Sequence, residues 1–231
     1  MQNVPKGSVL GFLMAMFFVV SFLLPYGCSR SPYYSIEEGK IVYSVEVEES
    51  ESINPMMKAM IPSEAICYFG SNRTCFVMAG PMGMFESRTI SDASAFKLTT
   101  MISAMGKKMA MVLDKKQIEK NFANRVDLKM EYTGKAKQIA GVDCQEVLVT
   151  DSIGNTYPVY FTEELNVEKP NWNTPFREIE GVLMEYSVKF GNIRMKLTAK
   201  EVINEKHDPQ LFTIPEGYEI ISDPSKLKGF F

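Results

Sequence analysis

Histidine is almost missing from this chain. Its 231 residues contain one, His207, in Glu205-Lys206-His207-Asp208-Pro209. A hydrolase triad needs a base set against a nucleophile and an orienting third group. With a single histidine beside a proline and no glycine–serine nucleophile elbow, that chemistry has no support, and His207 reads as a surface-loop residue. No Cys-x-x-Cys spacing occurs, which removes thioredoxin-like redox catalysis. The glycines of Gly80-Pro81-Met82-Gly83-Met84 stand among proline and methionine, precede no helical pattern and lack phosphate-loop spacing, so no nucleotide site is expected. An excess of positive charge is absent too. The 25 basic and 28 acidic side chains leave a net charge of −3, and only Lys107–Lys108 and Lys115–Lys116 cluster, so no nucleic-acid partner is expected. Carboxylates such as Glu46, Glu48, Glu49 and Glu51 fall on solvated strand faces, and nothing selects an acid–base pair among them. The reading is of a non-enzymatic chain with no catalytic residue, no metal site and no cofactor.

Long apolar runs are also scarce, with one exception at the start. Lys6 precedes an apolar run of 16 residues, Val9–Leu24, followed by Gly27 and Cys28. A basic residue, an apolar core and a small residue at the cleavage point form the order of an export signal. The run is at or below the length that spans a bilayer permanently. The segment resembles a bacterial lipoprotein signal, in which the cysteine becomes the lipidated first residue. That resemblance implies acylation of Cys28 and anchorage at a membrane, since each buried methylene contributes about 0.8 kcal/mol. Pro25 and Tyr26 depart from the usual residues just upstream and leave the processing point open. The expected organisation is a signal peptide over 1–27, a lipid tether over 28–38 and one β-rich domain over 39–231. Cleavage ahead of Cys28 takes 27 of the 231 residues and leaves 204; it removes Lys6 and no other charge. The expected place of work is the bacterial cell envelope, lipid-anchored to the outer membrane and facing the periplasm.

Three cysteines remain: Cys67, Cys75 and Cys144. Cys67 and Cys75 flank the turn-like Gly70-Ser71-Asn72-Arg73 and are candidates for a disulfide across a hairpin. A pair involving Cys144, or three buried thiols, stays open.

Beyond residue 38 most of the chain alternates with period two, the mark of half-buried strands. Ile41, Tyr43, Val45 and Val47 share one face of the first such run. Strand patterns recur at Glu64–Phe69, Thr74–Ala79, Val126–Tyr132, Gln145–Thr150, Thr156–Thr162 and in the long hairpin Val182–Phe190 and Ile193–Thr198. Within Ser94–Leu113 two strands are favoured over a methionine-rich helix. Pro158 marks an edge or irregular strand. Asn54–Met60 reads as a helical turn, Lys116–Asn124 as a helical crossover and Glu168–Gly181 as a long loop or lid. The count is nine to eleven strands with few helices.

The segments Ile139-Ala140-Gly141-Val142-Asp143-Cys144, Val159-Tyr160-Phe161-Thr162-Glu163-Glu164-Leu165, Gly181 opening a strand, and Phe212-Thr213-Ile214-Pro215-Glu216-Gly217-Tyr218 resemble those of uncharacterised β-rich lipoproteins of Bacteroidetes-type envelopes, a family defined by a domain of unknown function. Those in turn resemble the lipoprotein carriers LolA and LolB. The resemblance implies a mainly β fold: a strongly curved antiparallel sheet, or half-barrel, with a few short helices, whose concave face shelters acyl chains.

Methionine is abundant: three of 16 lie in the leader and 13 after it. Methionine fills irregular cores and also suits promiscuous apolar surfaces. The candidate groove for a lipid or other apolar ligand is drawn from Met78, Met82, Met84, Met105, Met109, Trp172 and Phe176. The alternative is a structural or interaction subunit that binds envelope proteins through its outer face.

Overall fold

Alternation of apolar and polar residues builds one sheet of 12 strands. The computed structural model describes residues 36–48, 61–70, 72–123, 128–190 and 193–223, and these belong to one compact unit. The leader, Cys28 and Asn54–Met60 lie outside them. In chain order the strands are β1 (Glu38–Val47), β2 (Glu64–Gly70), β3 (Arg73–Ala79), β4 (Phe85–Asp92), β5 (Lys97–Ala104), β6 (Lys107–Leu113), β7 (Lys129–Ile139), β8 (Val142–Thr150), β9 (Thr156–Thr162), β10 (Val182–Phe190), β11 (Ile193–Asn204) and β12 (Glu219–Ile221). Their spatial order is β12-β6-β5-β4-β3-β2-β1-β11-β10-β9-β8-β7. Sequence neighbours pair as antiparallel hairpins on both flanks, and the two flanks join where β1 pairs with β11.

This architecture corrects the expected half-barrel. β12 adds to β6 in parallel, so the sheet is mixed, and β12 and β7 end it as separate edges. The sheet is neither closed nor strongly curved, and the LolA/LolB-like carrier fold does not describe it. The strand β4 is an addition to the sequence reading, as is the three-residue β12. β7 runs on beyond the expected end at Tyr132, through Gly134 at φ +74° to Ile139, with a register shift between Tyr132 and Ala136.

Among the described residues there is one α-helix, α1 (Lys115–Ala123). A reciprocal cap starts it, the Asp114 carboxylate accepting from the Gln117 amide and the Gln117 side chain accepting from the Asp114 amide, each at 2.9 Å. That arrangement satisfies two donors that a helix end otherwise leaves unpaired. Pro158 stands in an interior strand, yet the pairing of β9 with β10 ends at Tyr160. Proline's missing N–H therefore breaks no ladder bond, because its one neighbour there is Leu148 of β8.

The cross-strand register decides which side chains share a face. On one face lie Ile41, Tyr43 and Val45 of β1, Leu197 of β11, Cys67 and Phe69 of β2, and Phe76 and Met78 of β3. The shift at Met184 in β10 carries Leu183 and Tyr186 onto this face together with Val147, Val159 and Phe161. Across β3–β6 the opposite face buries Cys75, Ile90, Met101 and Ala110 beneath Phe212, Ile214 and Tyr218 of the C-terminal segment. His207 fastens that segment. Its Nε2 lies 2.7 Å from the Gly39 carbonyl and 3.2 Å from the Phe69 carbonyl, so this nitrogen carries the proton and donates to both. His207 lies in a loop, as its sequence setting predicts, and from there it clasps β1 and β2.

Candidate functional site

The site is a cavity of about 300 Å³ between the first of these faces and the segment 163–181. Aliphatic and aromatic side chains of β1, β2, β3, β10 and β11 form its floor, among them Ile41, Tyr43, Phe69 and Phe76. Val167, Pro170, Pro175 and Phe176 of the covering segment face them.

The cover is held by local hydrogen bonds. Asn171 is buried, and its Nδ2 donates to the carbonyls of Ile179 and Gly181 at 2.7 and 2.8 Å. The Thr174 hydroxyl donates to the Asn171 carbonyl and accepts from the Phe176 amide. The Ile179 amide closes a turn onto the Phe176 carbonyl. These bonds convert a polar, proline-containing run into an ordered strap, satisfying backbone groups that burial would otherwise leave unpaired. At the downstream end, Gly181 lies so close to β9 that a Cβ would meet the Phe161 ring and the Thr162 carbonyl oxygen at 2.5 Å. Only glycine lets the strap enter β10 at that separation.

Tyr43 organises the interior. Its hydroxyl donates to the Leu183 carbonyl at 2.8 Å, and its ring stands 6.2 Å from Phe76 and 6.0 Å from Tyr186. Phe176 of the strap meets Tyr186 edge-on at 6.2 Å. Burial governs the ionisable groups here. It raises Tyr43 and Tyr186 above their ordinary range and pushes the Cys67 thiol up to about 12, with Cys75 adding to the effect on Cys67. Among the described residues the cavity wall carries no Asp, Glu, Lys, Arg or His. What it offers a ligand is dispersion contact, ring edges and uncharged hydrogen-bonding groups.

Of the residues singled out from sequence, Phe176 lines the cavity. Met78 is buried in the core cluster beside it. Trp172 packs instead with the group around Ile118 and Leu113, its ring 5.6 Å from Phe96 and its indole N–H without a partner among the described residues. Met109 joins the same group. Met82, Met84 and Met105 project from turns at 91, 48 and 88% exposure, and the Met105 amide donates to the Met84 carbonyl, so the two turns are neighbours. The expected groove thus divides into a buried aromatic cavity and an exposed methionine edge. Tyr43, Phe76, Tyr186 and the β4 side chains do not stand out in the sequence, because only the register reveals that they converge.

Cys67, Cys75 and Cys144 are free thiols. The pairing of Cys67 with Phe76 and of Tyr68 with Cys75 sends the two cysteines to opposite faces of the sheet, which corrects the cross-hairpin disulfide expected from their spacing. Among the described residues no group of three or more His, Cys, Asp or Glu is placed to hold a metal.

On the face opposite the cavity the polar groups satisfy one another. Tyr160 and Thr133 donate to the Glu146 carboxylate, and Glu185 pairs with Lys137 and Lys196 at 3.0 and 3.2 Å.

No family model matches the chain, and no curated protein matches it. Among solved structures it is similar to PNGF-II, at 16% identity over 83% of this chain and 32% of that one, with a TM-score of 0.52. It is more remotely similar to a β-barrel-like protein of unknown function from Brucella abortus (10% identity, 74% of this chain, 99% of that one, TM-score 0.32). LprF from Mycobacterium bovis stands at a like distance (9% identity, 81% and 92%, TM-score 0.29). The chain spans about a third of the length of PNGF-II, and the likeness between them is one of fold alone.

Proposed function

We propose that this chain is a membrane-anchored envelope lipoprotein of non-enzymatic type that binds a small apolar ligand beneath the 163–181 strap. The observation that carries the reading is the uncharged, aromatic-rich cavity of about 300 Å³. Small-molecule sites begin near that volume and are mainly apolar. It suits one chain or ring system rather than a two-tailed phospholipid. Apolar burial supplies the driving force, about 25 cal/mol for each Å² removed from water. Anchorage rests on Cys28 and the apolar run before it.

The test is uptake of 1-aminoanthracene, whose emission rises and shifts to the blue in an apolar site. Val188 lines the cavity, so Val188→Trp fills it and abolishes the signal. Met105→Ser, at an exposed turn, leaves the signal intact. No uptake by the unaltered protein, or equal uptake by Val188→Trp, refutes ligand binding in this cavity.

One observation favours a second reading, an envelope-assembly subunit: the exposed side chains of Met82, Met84 and Met105 on adjacent turns. Under that reading the charged variants Met82→Asp and Met105→Asp dissolve an envelope complex and leave probe uptake unchanged.

A further inference from the structure

The cavity wall is not uniformly apolar. β4, with its sequence Phe85-Glu86-Ser87-Arg88-Thr89-Ile90-Ser91-Asp92, turns Thr89 and Ser91 toward the cavity, and the register places Ser91 opposite Thr74 of β3. Three hydroxyls therefore sit together on the sheet floor beside Phe76, and Pro170 and Asn173 of the strap line the same cavity. Their side chains make no hydrogen bond to any described residue. Neighbouring hydroxyls elsewhere are committed: Thr174 to the Asn171 carbonyl, Tyr43 to the Leu183 carbonyl and Thr133 to Glu146. Ser91 is buried and Thr74 and Thr89 are half-buried, so a ligand that takes the place of water on these hydroxyls must return their hydrogen bonds.

Resting on the cavity reading above, we infer that the ligand is an uncharged amphipath, an apolar chain or ring bearing a hydroxyl or amide head, with the head seated on Thr74, Thr89 and Ser91. Three features exclude a charged head. Among the described residues no cationic side chain lines the cavity to pair with a carboxylate or phosphate, and no carboxylate lines it to pair with an amine. Desolvating an unpaired charge costs far more than desolvating a hydroxyl that regains its hydrogen bonds. The same surroundings oppose ionisation of the protein's own Cys67 and Tyr186. Hydroxyls both donate and accept, so alcohols and amides satisfy them without a fixed charge.

Displacement of 1-aminoanthracene from the full mature protein by octan-1-ol, octanoate and n-octane at neutral pH tests this. The three share one chain and differ in the head. Octan-1-ol is expected to displace the probe at a concentration at least about tenfold below octanoate, because burying the unpaired carboxylate costs more than one decade of affinity. The paired change Thr89→Val with Ser91→Ala is expected to weaken octan-1-ol about three- to tenfold, the range of one or two neutral hydrogen bonds, and to leave n-octane unchanged. Near-UV circular dichroism and melting temperature verify that the variant is folded. Octanoate equal to or better than octan-1-ol overturns the inference, as does an unchanged ratio of octan-1-ol to n-octane in the variant; in both cases n-octane still displaces the probe and the cavity reading stands. If the unaltered protein binds neither probe nor n-octane, the cavity reading falls and this inference falls with it.

Discussion

Asn171 concentrates much of the strap's order in one nitrogen. Its Nδ2 spans two carbonyls ten residues downstream at most, in a place sealed from solvent. Asn171→Ala deletes the donors and leaves both carbonyls to be desolvated unpaired, at about 1–3 kcal/mol for each such group. The expected result is a lower melting temperature and faster exchange of the 163–181 amides, checked by hydrogen exchange read peptide by peptide. An unchanged exchange pattern would show that the strap is held by its apolar contacts alone. At this scale the sequence is partly legible. It marks Glu168–Gly181 as a lid and Phe176 as a lining residue, because prolines, asparagines and an aromatic in one polar run leave few alternatives. It misleads at Met82 and Met105, because the methionine side chain serves a core and a surface equally well; both stand at positive φ in exposed turns.

At the scale of elements, the junction of strap and β10 depends on a missing side chain. Gly181→Ala drives a methyl group into the Phe161 ring and the Thr162 carbonyl, and overpacking of this kind costs about 1–3 kcal/mol. The expected variant melts lower and binds 1-aminoanthracene more weakly, since β10 carries the cavity residues Leu183, Tyr186 and Val188.

On the opposite face the β7–β8–β9–β10 strands are joined by carboxylates, and this has a pH consequence. Hydrogen bonds from Tyr160 and Thr133 hold Glu146 below its ordinary 4.5, with Lys135 adding to them. Burial raises Glu185, but its bonds to Lys137 and Lys196 outweigh that and lower it. A carboxylate whose pKa is lower folded than unfolded stabilises the fold above the ordinary value, and this stabilisation is lost as pH falls through the folded value. The melting temperature is therefore expected to hold as pH drops to about 4.5 and to decline below it, and Glu146→Gln should flatten the decline. Tyr160 behaves in the opposite sense. Its hydrogen bond to Glu146 pushes it up to about 12, so its contribution is complete below the ordinary 10 and disappears as pH rises through about 12.

Elements are the most legible level. β1, β10 and β11 follow from alternation alone, and the two strands within Ser94–Leu113 follow from short apolar runs around Gly106. β4 escapes notice because the side chains on its cavity face are Ser87, Thr89 and Ser91 rather than aliphatic residues, so no apolar alternation announces it. β12 escapes because three residues pairing in parallel with β6 leave no local signal.

For the whole molecule, the decisive facts are ones that no local pattern encodes. Alternation says that a strand has two faces; it does not say how strongly the sheet bends, which edge stays open, or which strands are neighbours. Here β1 and β11, more than 140 residues apart in sequence, join the two flanks, and a register shift in β10 rotates Leu183 and Tyr186 toward Tyr43. The cavity is a product of that register together with the strap, and so it is visible in the sequence only as a lid of unknown partner. Sheet and strap together line a partly open, uncharged cavity, which makes ligand binding the property on which the proposed function stands or falls.

The most direct test is native mass spectrometry of residues 29–231, exported to the periplasm without the lipidated Cys28 and purified without detergent. The expected result is small adducts of lipid-like or ring-bearing mass on the unaltered protein and on Met105→Ser, and none on folded Val188→Trp. A bare protein mass that stays bare when octan-1-ol is added, or adducts retained in full by Val188→Trp, would contradict ligand binding beneath the strap.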